Sequence, residues 1–122
     1  MAYKVVEVVK QIPGSDWVEY PTKEDFVKNE ISMGGYTHEK VFDIIESHQP
    51  DIFQGKRSEI IEVIKNQSLE FDVTEQKLTK TRIWPSKELF DIYESTRGLV
   101  DWSSLYPANE NVSTEVIEEA EV

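Results

Sequence analysis

The sequence predicts an α+β domain, an antiparallel sheet of about four strands packed against two or three helices. Three observations predict it. A valine-rich run at the N-terminus has strand character, and two segments between residues 69 and 84 alternate apolar with polar side chains. Three further segments carry apolar residues at helical spacing behind a capping residue.

Tyr3 to Ile12 reads as the first strand. Val5, Val6, Val8 and Val9 are β-branched, and Pro13-Gly14-Ser15 ends the run. Its nearly continuous apolar character indicates cover on both faces, as in a central strand. Trp17-Val18-Glu19-Tyr20 is a short extended piece that stops at Pro21. Thr22-Lys23-Glu24-Asp25 then places a carboxylate three residues after a capping hydroxyl, and Phe26, Val27 and Ile31 fall on one helical face. Gly34-Gly35-Tyr36 makes a hinge to a second helix capped by Thr37, with Val41, Phe42, Ile44 and Ile45 as its stripe.

Ser58 to Lys65 suits either a strand or a short buried helix, and the β-branching of Ile60, Ile61, Val63 and Ile64 favours a strand. Leu69, Phe71 and Val73 alternate with Glu70, Asp72 and Thr74. After a turn at Glu75-Gln76-Lys77, the inward set Leu78, Lys80, Arg82 and Trp84 alternates with Thr79, Thr81 and Ile83. These two strands form a hairpin. Pro85 stops the second, Ser86 caps a helix with Leu89, Phe90, Ile92 and Tyr93 on its stripe, and Gly98 ends it. Leu99 to Pro107, with Trp102 and Tyr106, reads as an irregular segment packed on the body. Residues 1–107 are thus expected to form one domain. Residues 108–122 are expected as an acidic tail, either mobile or a last edge strand through Val112, Thr114 and Val116. The five carboxylates and the lack of one clean apolar face favour the mobile reading, so removing Asn109 to Val122 is expected to leave the fold intact and to change stability by no more than about 1 kcal/mol.

The chain has 122 residues, enough for one domain that buries roughly two-thirds of its unfolded surface. Three Trp, five Tyr and five Phe can fill that interior. With no cysteine, disulfides, thiolate catalysis and Cys-ligated zinc are excluded. The N-terminus carries a charge within its apolar run and does not resemble a signal peptide, and no stretch has the ~20 apolar residues of a membrane helix. A soluble cytoplasmic protein is expected. Net charge is −11, and residues 98 to 122 supply six of those charges with no Lys or Arg. Such a balance argues against a binder of nucleic-acid backbones, which needs clustered cations.

The run Ser68 to Thr96 resembles the second half of a ferredoxin-like domain, of the kind whose sheets pair into dimeric α/β barrels. In Thr81-Arg82-Ile83-Trp84-Pro85-Ser86-Lys87-Glu88-Leu89-Phe90-Asp91-Ile92-Tyr93, Trp84 would be the aromatic at the strand end and Tyr93 the inward tyrosine of the helix. The likeness covers about a quarter of the chain, and the two helix signals before it depart from the family pattern. It implies a fold and a dimer, and no particular activity.

Few residues carry chemistry. His38 and His48 are the weak acid–base candidates by residue type, with Tyr93 beside them. His38 sits in the first turn of its helix, where the positive dipole end disfavours protonation. His48 sits in the last, and the two lie roughly 80° apart around the axis, so they cannot share a metal. Glu39, Asp43 and Glu46 share a helix face, and the spacing that could hold a cation is also that of a solvated face, so no metal site is assigned. Gly34-Gly35 lies between helices and lacks a following Lys and Ser or Thr, so it is no phosphate loop. Gln54-Gly55-Lys56-Arg57 offers two charges, a weak anion site. Arg82, Trp84 and Trp102, with Tyr93, form the one binding candidate, because an arginine beside aromatics can stack or hold a carboxylate.

The leading expectation is a non-catalytic accessory or protein-interaction module that self-associates through its sheet as a homodimer, without cofactor, nucleic acid or membrane. The alternative is a small ligand-binding enzyme of the dimeric ferredoxin-like type, with a pocket between sheet and helices. A third is an acidic decoy of a nucleic-acid-binding protein.

Overall fold

The computed structural model describes residues 1–12, 17–31, 37–96 and 112–122. Its elements run β1 (Tyr3–Gln11), α1 (Lys23–Glu30), α2 (His38–His48), α3 (Arg57–Lys65), β2 (Ser68–Asp72), β3 (Lys77–Trp84), α4 (Lys87–Ser95) and β4 (Val112–Glu121). The strands form one sheet in the order β2-β3-β1-β4, and every adjacent pair is antiparallel. The α+β class and the four-stranded antiparallel sheet are those the sequence predicts. The turn at Pro13-Gly14-Ser15, the hinge at Gly34-Gly35-Tyr36 and the segment Leu99 to Pro107 with Trp102 lie outside the described residues.

Each predicted cap forms. The Thr22, Thr37 and Ser86 hydroxyls accept from the backbone N–H groups of Asp25, Lys40 and Leu89, each at 3.2 Å, and start α1, α2 and α4. The hairpin also forms in the predicted phase, with Phe71 opposite Leu78 and Leu69 opposite Lys80. Its turn is set by Asp72, whose carboxylate accepts from the N–H groups of Thr74 and Glu75 at 3.0 Å each.

Two segments differ from expectation. Ser58 to Lys65 is not a strand but lies in α3. As a strand, it would put Glu62 on the same face as Ile60 and Ile64; as a helix, it groups Ile60, Ile61 and Ile64 inward and leaves Glu62 exposed. Lys56 provides no side-chain cap, so no start signal marks this helix in the sequence. The supposed tail is likewise part of the sheet from Val112 onward. β4 pairs with β1 along its length, with Val112 opposite Gln11 and Glu121 opposite Tyr3. An irregularity in register sits beside Val6 and Glu7. Lys4 holds Glu118 at 3.1 Å, and the Tyr3 hydroxyl donates to Glu119 at 3.3 Å. Backbone pairing with a valine-rich strand outweighs the self-repulsion of the carboxylates.

The core has two parts. Tyr3, Val5 and Trp84 pack with α2, α3 and α4, whereas Val9 and Leu78 pack with Phe26 of α1. Two buried glutamines close the second part: Gln11 bonds both backbone groups of Val18, and Gln76 bonds both of Tyr20. They pin the segment before α1 to the end of the sheet. Removing Val112 to Val122 would turn β1, the central strand, into an edge. The truncated chain is expected to melt more than about 5 °C lower and to aggregate on heating, measured by circular dichroism and light scattering; a melt within that margin would mean β4 contributes little.

Candidate functional site

Between the two core parts the inward face of the sheet is charged. On β1 the inward residues are Tyr3, Val5, Glu7, Val9 and Gln11, and on β3 they are Leu78, Lys80, Arg82 and Trp84. Register places Glu7 opposite Lys80 and Val5 opposite Arg82. The Lys80 ammonium and Glu7 carboxylate meet at 3.3 Å, with side chains 16% and 10% exposed. Burial lowers the Lys80 pKa, Glu7 opposes that shift and Arg82 adds to it.

Arg82 is 8% exposed. Its Nε donates to the Gln67 amide oxygen at 3.0 Å and its Nη1 to the Tyr93 hydroxyl at 3.3 Å. The guanidinium also lies 5.7 Å from the centroid of the Tyr93 ring. Among the described residues no carboxylate pairs with it. His38 completes the group from the start of α2. Burial, and then the charges of Arg82 and Lys80, push its pKa down to about 4. Its ring meets Phe42 edge-on at 6.1 Å, and Phe42 in turn meets Tyr93 at 6.4 Å.

The structure therefore brings together His38, Arg82, Tyr93 and Trp84, four residues singled out from the sequence. Trp102 lies outside the described residues. Trp84 belongs to the core instead of an exposed binding face: it is wholly buried, its ring lies 5.2 Å from that of Tyr93, and its indole N–H has no acceptor among the described residues. His38 is partly buried and far from an ordinary surface histidine, while His48 is exposed. Glu7, Lys80 and Gln67 complete the cluster unannounced. A lone carboxylate inside Val5-Val6-Glu7-Val8-Val9, and Lys80 in the inward phase of β3, are the signals that could have found them.

The acids of α2 are engaged elsewhere. Arg57 of α3 holds Asp43 at 2.7 Å and also pairs with Glu46, and Lys65 holds Glu39 at 3.2 Å. They tie α2 to α3. Among the described residues no three His, Asp or Glu side chains group as a metal site requires, and no helix is long and apolar enough to cross a membrane. No protein-family model, curated protein or solved structure matches the chain.

Among the described residues the cluster holds two cations, one carboxylate and, at neutral pH, a neutral histidine, one positive charge in excess. An arginine so placed can offer its remaining N–H donors to an anion. His38 gives a separate handle. Its pKa is depressed on folding, so below about pH 6.5 the unfolded chain takes up a proton that the folded chain refuses. Stability from this source is full above about pH 6.5 and declines as pH falls toward about 4. Urea denaturation is expected to give a loss of about 2 kcal/mol between pH 7 and pH 5. His38→Gln should remove most of that slope, and an unchanged slope would show that the ring is not buried in the folded state.

Proposed function

We propose that the chain binds a small carboxylate-bearing ligand between sheet and helices, with Arg82 as the anchoring group. The carrying observation is that Arg82, 8% exposed, donates to the neutral acceptors Gln67 and Tyr93 and to no carboxylate among the described residues. A buried cation without a counter-charge is costly, and a ligand carboxylate would relieve that cost through a two-pronged contact. Lys80 and the neutral His38 would border the same anion, and Phe42 and Tyr93, both buried, would form its apolar walls. No reaction is assigned.

The strand order supports a ferredoxin-like reading of the whole chain. Helices intervene between β1 and β2 and between β3 and β4, and in each case one antiparallel strand lies between the two. A cysteine-free chain fits a reducing, cytoplasmic setting.

Isothermal titration of the full chain with a panel of short mono- and dicarboxylic acids and their amides tests the proposal. One acid should bind while its amide does not, and Arg82→Gln should weaken it by about 10- to 100-fold, the value of a charge-assisted hydrogen-bonded pair. Equal binding of acid and amide, or by Arg82→Gln, would sink the idea.

A second reading, self-association as a homodimer, is favoured by the opposite face of the sheet. Ile83 lies there, 50% exposed, beside Val6 and Val8, which are buried, at 7% exposure each, and belong to neither core cluster. Sedimentation should then show a dimer that Ile83→Lys dissociates; a strict monomer at high concentration excludes it.

A further inference from the structure

β4 stands at the edge of the sheet, with β1 as its one neighbour. Residues 113–122 are exposed, and among the described residues nothing pairs with the outer row of β4 backbone N–H and C=O groups. A ten-residue open edge without proline is a template for another strand.

Charge selects the occupant. Register puts Glu119 and Glu121 on the helix-covered face, opposite Val5 and Tyr3, and Glu118 and Glu115 on the other, opposite Val6 and Val8. Carboxylates therefore flank both faces of any added strand, and β4 has no Lys or Arg. A second copy of β4 would set glutamates against glutamates, and like charges across a strand pair destabilise it. Glu118 and Glu119 are engaged by Lys4 and Tyr3. Glu115 and Glu121, one on each face, have no such partner among the described residues, and cations from an added strand could reach them. We propose that the outer edge of β4 accepts an extended lysine- or arginine-rich segment of a partner protein as a fifth strand. This surface lies across β1 from Arg82 and is independent of the ligand reading.

The probe is a fluorescent peptide of about ten residues alternating lysine with valine, titrated against the full chain by anisotropy. Two companions separate the contributions. One carries N-methyl groups on alternate amides with all charges kept, and the other replaces lysine by glutamate. Saturable binding by the lysine peptide is expected, weakened at least roughly tenfold in each companion. Glu115→Lys/Glu121→Lys, checked for its fold by circular dichroism, should weaken the lysine peptide as well. Equal binding by the N-methylated peptide would reduce the contact to charge attraction and overturn the proposal. So would the absence of saturable binding by the lysine peptide, or full binding by the glutamate one.

Discussion

Two cations on the inward face of β3 are the constraint around which the interior is arranged. Lys80 and Arg82 point to the side of the sheet that the helices cover, where apolar residues would ordinarily stand. Glu7 answers Lys80 from the facing position on β1. A charged layer therefore crosses the middle of the sheet and divides the apolar interior into the Trp84 part and the Phe26 part. Removing one member of such a pair strands the other in a poorly solvated place, so the layer is held together by the cost of leaving it incomplete. Arg82 is different, because its partners are a neutral amide and a phenol. Among the described residues no carboxylate answers that charge.

Local signals in the sequence were faithful wherever the structure is decided locally. Thr22, Thr37 and Ser86 cap helices because a short hydroxyl side chain reaches the free N–H groups of the first turn whatever the surroundings. The alternation of Leu78, Arg82 and Trp84 fixed the phase of β3, since a slip of one residue would expose all three. α3 was misread because β-branched residues speak for a strand when burial is ignored. Inside the domain, the packing of Ile60 and Ile64 overrides that preference. β4 was only the lesser of two readings of the tail, for the opposite reason. Its side chains are exposed on both faces, so no hydrophobic pattern marks it, and the backbone ladder to β1 holds it in place.

The candidate site was half legible. Arg82 and Tyr93 stand out because an arginine and an aromatic flank a proline-terminated strand and the helix after it, which brings them back to one side. Glu7 and Lys80 are plain charges by composition, and only the register that sets them face to face makes them a buried pair. His38 was expected to resist protonation through its place at a helix start. The direction is the same, but burial and the two β3 cations are the cause.

Charge is sorted across the sheet in a way that bears on selectivity. The chain as a whole carries −11, so at long range it repels the anions that Arg82 suits. The acids of β4 are separated from β3 by β1, about two strand spacings or ~10 Å, which is close to one Debye length at physiological salt. Their effect at Arg82 is therefore reduced by screening wherever water intervenes, whereas the guanidinium acts at contact. A ligand chosen by such a site must gain its affinity at short range, from the arginine fork and from the Phe42 and Tyr93 rings beside it. Highly charged anions would be turned away by the field before they arrived. Under the proposed reading, a singly charged carboxylate with an apolar body would suffer least from the repulsion and gain most from the Phe42 and Tyr93 rings.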